Sequence, residues 1–204
     1  MTERETTEAI VALEWEMFHA INRPEARAAC QNDRPTFHTM RAAQFSAWDQ
    51  ATRESYLRDL TRAKADGRNL PEEKYIRMMA YTFPAEYPAA AERLGPASER
   101  RHQLAAAVND MLVQQAEALR QAYPAVGAAG RPLYSADDTS LCTSLETYQL
   151  CELQTYSEAT LQALLDWIRT LEKEGVSLAE RILTNTVQAY GYKTIGEAEA
   201  QRRR

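Results

Sequence analysis

The stretch RPTFHTMRAAQFSAWDQ, residues 34–50, has the period of an amphipathic helix but carries polar residues on its apolar side. On a helical wheel, Phe37 and Trp48 mark the apolar direction, and Arg41 and Gln44 lie within about 40° of Phe37. A guanidinium in that position must reach water or find partners, because burying an unpaired charge is costly. The stretch therefore predicts a helix that directs polar groups toward the protein interior.

Helical periodicity also dominates the rest of the chain, with little of the alternation that is typical of half-buried strands. Capping residues, glycines and prolines divide the sequence into segments. We therefore predict an all-α fold, a single-domain irregular helical bundle of about six helices over residues 1–204. The predicted helices cover roughly residues 7–21, 33–65, 71–81, 97–122, 143–174 and 177–190, and residues 191–204 are expected to form a tail.

Local signals set the ends of these predicted helices. Asp33 is a candidate N-cap, and Gly67 is a candidate for the residue just beyond a C-terminus. Two pairs have the spacing of a capping box, in which a hydroxyl and a carboxylate three residues apart satisfy free backbone N–H groups. These pairs are Thr143 with Glu146 and Ser177 with Glu180.

The composition is that of an ordinary globular protein, with 45% hydrophobic and 26% charged residues. The net charge of −5 argues against a nucleic-acid partner. No apolar run approaches the roughly 20 residues that span a bilayer, and the N-terminus has no apolar signal region, so we expect a cytoplasmic protein without a membrane partner. Cys30, Cys142 and Cys151 have no zinc-like or CxxC spacing and are expected to be reduced. A homo-oligomer is compatible with the sequence, but nothing in it specifies one.

Further polar side chains share the apolar faces of other predicted helices. The wheels place Glu14 on the apolar face of the first helix and Gln115 on that of the fourth. On the fifth helix Glu146 points inward, whereas Glu152 and Tyr156 lie together at the edge of the apolar face. Polar groups are thus expected in the interior from several directions.

An inward arginine is most economically paired with an inward carboxylate, so we expect Arg41 to meet Glu14 or Glu146. Two interpretations of such a cluster are open. It is either a structural salt bridge that fixes helix register, or a polar pocket between helices that holds a small ligand. Glu146 has a further interpretation as the capping-box partner of Thr143.

Helical bundles can hold a carboxylate-bridged di-metal site, and the sequence contains two Glu-x-x-His pairs, Glu16 with His19 and Glu99 with His102. Both pairs point away from the apolar faces of their helices, so a shared metal site is disfavoured. Motifs for phosphate or dinucleotide binding and for a serine nucleophile are absent from the sequence. We therefore predict no metal and no cofactor.

Two other groups are candidates for chemistry. Cys30 could act as a nucleophile if His19 or His38 folded back onto it, although a partly buried inert thiol is the favoured interpretation. Lys74 could act as an amine base if it were buried, but its wheel position predicts exposure to solvent.

Five blocks stand in order along the chain: EWEMF (14–18), CQND (30–33), TFHTMRAAQFSAW (36–48), GRNLPEEKYIRMM (67–79) and ETYQLCELQTYSEATL (146–161). Together they resemble a bacterial family catalogued as domain of unknown function 4125, with a likeness over roughly residues 10–170. Because the family has no established activity, the resemblance implies no catalytic role. It does imply where a site should lie, since the blocks contain Trp15, Cys30, Gln31, Arg41, Gln44, Trp48, Arg68, Asn69, Glu73, Tyr75, Glu152 and Tyr156.

We expect an α-helical enzyme that acts on a small anionic metabolite, although the residues do not specify the reaction. Arg41 would bind a carboxylate-like group, because its guanidinium fork suits a two-point contact. The alternatives are a non-catalytic binding or accessory protein and a helical scaffold with a buried structural salt bridge. The candidate catalytic residues are Glu14, Glu146 and Glu152 as acid or base, Tyr156 as proton donor, and Cys30. The other candidate substrate-binding residues are Gln44, Trp48, Trp15, Arg68, Asn69 and Gln115.

Overall fold

The structure, a computed structural model, describes residues 1–21 and 32–203. Over these ranges the chain forms eleven α-helices and no strand, with a 3₁₀ turn at Ser135–Asp137. The predicted all-α class is confirmed, whereas the expected number of about six helices is wrong. The helices are α1 Glu3–His19, α2 Arg34–Ser46, α3 Gln50–Ala65, α4 Leu70–Thr82, α5 Tyr87–Ala91, α6 Glu99–Ala122, α7 Pro124–Gly127, α8 Leu145–Leu153, α9 Glu158–Lys173, α10 Leu178–Ala189 and α11 Ile195–Arg202.

Part of the difference in helix number comes from N-caps that stand inside a continuous helical pattern. The predicted helix over 33–65 is divided at residues 47–49 into α2 and α3, because the Asp49 side chain accepts from the backbone N–H of Thr52 at 3.0 Å and begins a new helix. The predicted helix over 143–174 is divided into α8 and α9 in the same way, by Ser157 and the N–H of Thr160. Because a new helix begins at each of these N-caps, a single helical wheel cannot describe the residues before and after it.

Three of the predicted helix ends are confirmed. The side chain of Asp33 accepts from the N–H of Thr36 at 3.1 Å, and that of Ser177 accepts from the N–H of Glu180 at 3.2 Å. Gly67 follows α3 with a φ of +68°, in the left-handed region that favours glycine.

The predicted capping box of Thr143 with Glu146 is wrong. Ser144 caps α8 instead, because its hydroxyl accepts from the N–H of Thr147 at 3.1 Å. The Glu146 carboxylate accepts from the N–H of Ser135 at 2.6 Å and so holds the preceding loop against α8.

The predicted tail over 191–204 contains the helix α11 within its described part. Ile195 and Ala198 pack with Val187 in a small second core. The Glu199 carboxylate accepts from the N–H groups of Ala125 and Val126, at 3.0 and 2.8 Å, and thereby attaches α11 to α7.

The centre of the main hydrophobic core is α9. Its Leu161, Leu164, Ile168 and Leu171 recur at helical spacing and are almost fully buried, and α9 packs against α3 and α6. Burying a side chain of this kind contributes about 1.5–3 kcal/mol relative to leaving it exposed. These side chains therefore hold α9 against α3 and α6 and contribute much of the main core.

The polar part of the interior lies where α1 packs against α2 and α4, α4 against α8, and α2 against α10. None of the helices in residues 1–21 and 32–203 combines the length and the apolar content needed to cross a bilayer.

Candidate functional site

A cavity of about 470 Å³ lies among these helices, in the size range of small-molecule sites. Aromatic and aliphatic side chains form much of its wall, which also carries charged groups. The charged residues along the wall are Glu14, Asp33, Arg41, Lys74, Arg131 and Glu152.

Arg41 lies at the centre of the charged groups. Its Nε and Nη2 donate to the two carboxylate oxygens of Glu14, both at 2.6 Å, and Nη2 also donates to Oε1 of Glu152 at 2.9 Å. Its Nη1 donates to the amide oxygen of Gln44 at 2.9 Å. The expected convergence of Arg41 with Glu14 is confirmed. Together, these four hydrogen bonds leave one Nη1 hydrogen of the guanidinium without an acceptor among the described residues.

Lys74 forms the second cationic group of the cluster. Its Nζ donates to the Tyr148 hydroxyl oxygen at 2.6 Å and to Oε2 of Glu152 at 3.2 Å. The predicted exposure of Lys74 is wrong, because only 7% of the residue is accessible to solvent. The reason is that α4 packs against α8, so the side chain is covered by a helix that is distant in sequence.

Two buried tyrosines complete the hydrogen bonding of the carboxylates. The Tyr56 hydroxyl donates to Oε1 of Glu14 at 2.6 Å, and the Tyr156 hydroxyl donates to Oε1 of Glu152 at 2.9 Å. Their ring centres are 4.5 Å apart. Each carboxylate therefore has both ionic and phenolic donors, as a buried charge requires.

The ionised forms of the cluster are strongly favoured. Burial opposes the charge of Arg41, but the carboxylates of Glu14 and Glu152 outweigh it and raise the pKa of the guanidinium. Burial likewise opposes the charge of Glu152, but Arg41 and Lys74 outweigh it and hold the pKa of this carboxyl well below its usual range. For Lys74, burial is outweighed by Tyr148 and Glu152, and the pKa is raised. These charges therefore persist across neutral pH.

The buried tyrosines are held in their neutral form. Burial raises the pKa of both Tyr56 and Tyr156 well above the usual value, and the adjoining carboxylates, Glu14 and Glu152, raise it further. Both hydroxyls consequently remain hydrogen-bond donors.

The ring of Tyr148 contacts two cations at the cavity wall. Lys74 Nζ is 4.2 Å from the ring centre, and Arg131 Cζ is 4.5 Å from it. Nη1 of Arg131 donates to the carbonyl oxygen and the hydroxyl of Thr143, at 3.0 and 3.3 Å. Within the described part of the chain, Nε and Nη2 of Arg131 have no hydrogen-bond partner and the residue forms no ion pair.

Some predicted binding residues lie at the cavity and others do not. Gln44 and Trp48 line it. Trp15 packs against the ring of Phe37 at 5.2 Å between centres and is not part of the wall. Gln115 accepts from the N–H of Ala179 at 3.1 Å, at the start of α10 and outside the cavity.

Arg68 and Asn69 have partners of their own outside the cavity. Arg68 donates through Nε and Nη2 to both oxygens of Glu73, each at 2.8 Å. Asn69 caps α4 by accepting from the N–H of Glu72, and its Nδ2 donates to the carbonyl of Met17 at 2.7 Å. Arg68 and Asn69 therefore stabilise the start of α4 and do not contact the cavity.

The structure separates the predicted catalytic residues as well. Glu14, Glu152 and Tyr156 meet at the cavity, whereas Glu146 is engaged with Ser135 away from it. Cys30, and with it Gln31, lies outside the described residues. Among the residues that the structure describes, no group of three or more histidine, cysteine or acidic side chains is arranged to hold a metal ion.

Sequence reasoning missed several residues of the cluster. Tyr148 had a usable signal, because Tyr148, Glu152 and Tyr156 are four residues apart and share one face of the helical pattern. Tyr56 was hidden by the break before α3, which changes the phase of the wheel. Arg131 lies in a loop, where no helical period applies.

Comparison with known proteins assigns the chain to a family. A family model described as "Protein of unknown function (DUF4125)" matches residues 4–200, which extends past both ends of the region that the five sequence blocks cover. No curated protein and no solved structure matches the chain. The function must therefore be inferred from the site.

Proposed function

We propose that this chain, which belongs to the DUF4125 family, binds a small organic molecule in the cavity lined by Arg41, Glu14 and Glu152. The proposal rests on the position of the ion network, which is the set of ion pairs and hydrogen bonds that joins Arg41, Lys74, Glu14, Glu152, Tyr56 and Tyr156. This network lies along the cavity wall. In a closed core, apolar residues of similar volume stabilise a fold at least as well as a buried ion pair. Fixed polar groups in a largely apolar cavity are typical of sites that orient a ligand.

The organisation of the network supports binding. Arg41, Lys74 and the tyrosines hold both carboxylates in place through hydrogen bonds within the protein. A site whose groups are already ordered loses less conformational entropy when a ligand binds. The network therefore acts as a rigid wall against which a ligand can be positioned.

Blocking the cavity tests this proposal. Thr186 lines the cavity from α10, whereas Gln188 lies on the same helix, exposed and outside the cavity wall. The wild type, Thr186→Trp and Gln188→Trp proteins are each incubated with a metabolite extract, and the retained compounds are identified by mass spectrometry. We expect the wild type and Gln188→Trp to retain the same compounds and Thr186→Trp to lose them.

Two results would overturn the proposal, provided that circular dichroism shows all three proteins folded. Retention of the same compounds by Thr186→Trp would mean that binding occurs elsewhere. Retention of no compound by the wild type would favour the alternative of a helical scaffold with a structural ion network.

Catalysis is a second candidate function, favoured by one observation at Tyr148. The pKa values of Glu152 and Tyr156 are moved away from neutrality, whereas an efficient acid or base has a pKa near the working pH. The Tyr148 oxygen accepts from Lys74 at 2.6 Å, and among the described residues the hydroxyl proton of Tyr148 has no carboxylate acceptor. This hydroxyl is the group best placed to give a proton to a bound ligand.

Incubation of the retained compounds with the protein separates catalysis from binding alone. An enzyme should convert at least one compound, and Tyr148→Phe should retain the compound without converting it. If the wild type leaves every retained compound unchanged, the catalytic candidate fails and the binding proposal stands.

A further inference from the structure

We infer that the ligand carries an oxyanion, a carboxylate or a phosphate monoester, and that Arg131 binds it with the help of Lys74 and the Tyr148 hydroxyl. This inference rests on the proposed binding function and adds the chemical class of the ligand. It also assigns the anionic contact to a residue other than Arg41.

Arg41 is poorly placed to bind the oxyanion, because the Nε and Nη2 donors of its guanidinium are already hydrogen-bonded. Its Nε and Nη2, the edge that suits a two-point contact, both donate to Glu14 at 2.6 Å. A ligand carboxylate would have to displace that of Glu14. Such an exchange would leave Glu14 buried without its guanidinium, at a considerable cost in free energy.

The charges in the group formed by Arg41, Lys74, Glu14 and Glu152 balance without Arg131. The carboxylates of Glu14 and Glu152 are matched by the cations of Arg41 and Lys74. Asp33, the other acidic residue of the wall, is used as the N-cap of α2. Arg131 is therefore the cation of the wall that has no ion-pair partner within the described residues.

Arg131 is positioned so that one edge of its guanidinium is available. Nη1 is held by Thr143, and the guanidinium lies against the ring of Tyr148 at 4.5 Å. The backbone carbonyl of Arg131 also accepts from Nη2 of Arg120. The Nε and Nη2 hydrogens remain, and this pair matches two oxygens of a carboxylate or a phosphate.

Lys74 and Tyr148 line the same cavity as Arg131, and both cations contact the Tyr148 ring. The Lys74 ammonium has three hydrogens and uses two of them, on Tyr148 and Glu152. The Tyr148 hydroxyl accepts from Lys74, which leaves its own hydrogen to donate. A bound oxyanion would thus find charged and neutral donors around the ring of Tyr148.

The rest of the cavity favours an apolar body on the ligand. Phe37, Met40 and Ile182 line the wall, and the Phe37 ring is stacked on Phe18 with 5.3 Å between ring centres. Aromatic and aliphatic surface of this kind gains from covering an apolar group. The ligand class is consequently an organic acid or phosphate ester with an apolar or aromatic body.

Probes that share a benzene ring and differ in charge test the inference. Benzoate and phenyl phosphate carry the oxyanion, benzyl alcohol is neutral, and benzylamine is a cation. Titrations followed by ligand-observed NMR give the dissociation constants for the wild type, Arg131→Gln and Arg169→Gln. Arg169 is the matched control, since its side chain is 56% exposed on α9 and its nearest carboxylate is 4.0 Å away.

We expect the wild type to bind an oxyanion probe about tenfold or more tightly than the neutral and cationic probes. Arg131→Gln should weaken this binding about tenfold, whereas Arg169→Gln should leave it unchanged. Tyr148→Phe should weaken it less than Arg131→Gln, because a neutral donor contributes less than a charged one.

Equal binding of all four probes, or undiminished oxyanion binding by Arg131→Gln, would overturn the inference. So would a lack of binding by every probe. The proposal that a molecule binds in the cavity is tested separately, by comparing the metabolites that the wild type and Thr186→Trp retain. If Thr186→Trp loses metabolites that prove to be neutral or cationic, the cavity proposal stands and the oxyanion inference fails.

Discussion

The guanidinium of Arg41 meets the carboxylate of Glu14 in a two-point contact, with Nε···Oε2 and Nη2···Oε1 distances of 2.6 Å. This contact joins α2 to α1, and Tyr56 of α3 donates to the same carboxylate at 2.6 Å. One carboxylate thus connects three helices. Because it also lies on the cavity wall, the stability of the bundle and the shape of the cavity depend on the same charges.

Removing the Arg41 guanidinium should destabilise the protein strongly. Arg41→Met leaves Glu14 buried without a cation, so we expect the free energy of unfolding to fall by about 3–5 kcal/mol. Urea denaturation measures this change. Lys64→Met is the control, because Lys64 pairs with Glu16 on the surface, where such a pair contributes about 1 kcal/mol or less.

A second substitution separates charge from packing in this result. Adding Glu14→Gln to Arg41→Met should recover part of the loss, because the uncompensated charge is then gone. A loss for Arg41→Met that is no larger than for Lys64→Met would contradict a structural role of the pair.

Stability should decrease in acid because of Glu152. Its pKa is lower in the folded protein than in the unfolded chain, since Arg41 and Lys74 outweigh the effect of burial. Below about pH 4.3, the usual pKa of a glutamate, the unfolded chain binds this proton first, so the stabilisation is lost as the pH falls. Urea midpoints across this range measure the slope, and Glu152→Gln should make it shallower. An identical acid slope in the variant would count against the assignment.

The buried tyrosines should ionise late in an alkaline titration. Burial and the adjoining carboxylates raise the pKa of Tyr56 and Tyr156 well above the ordinary value of about 10. Tyrosinate absorbance should therefore show a fraction that ionises only as the protein unfolds. The fraction should shrink in Tyr56→Phe and Tyr156→Phe but not in Tyr190→Phe, because Tyr190 is 56% exposed. The free energy of unfolding should therefore fall as the pH rises beyond about 10, because the unfolded chain releases these protons first.

Cys151 should be protected from thiol reagents. It is almost fully buried, and burial raises its pKa to about 12, so that little thiolate exists near neutrality. Peptide mass spectrometry after brief alkylation should find Cys151 unmodified in the native protein and modified in urea. Cys142 is only partly buried and should react earlier. Equal labelling of the two cysteines in the native protein would contradict this prediction.

The elements that were predicted well are those controlled by short-range chemistry. Asp33 and Ser177 begin helices as expected, and Gly67 ends one, because capping involves side chains and backbone groups within a few residues. The inward direction of Glu14 also follows from the period of its own helix.

The helix breaks were missed because a periodic pattern does not show whether a helix continues. Asp49 and Ser157 cap new helices within stretches whose apolar spacing is nearly uninterrupted. The intrinsic free energies of continuing and of restarting a helix at such residues differ little, so tertiary packing decides between them. The same uncertainty led to the expectation of about six helices.

The partners of the polar residues could be predicted only in part. Arg41 was expected to meet Glu14 or Glu146, and the packing of α1 on α2 selects Glu14. Glu146 has the same inward phase on a wheel, but it is used to hold the loop before α8. A wheel gives a direction within one helix and no information on which helix lies opposite.

The sequence by itself determined the helical class, several of the helix ends and the inward direction of Arg41 and Glu14, because each of these depends on residues within one or two turns. Only the tertiary structure decided that Lys74 is buried against Tyr148 and Glu152, and that Arg131 lies on the same wall. The Lys74–Glu152 contact spans 78 residues of sequence. Its formation depends on how α4 packs against α8, and this packing is set by the fit of the whole core.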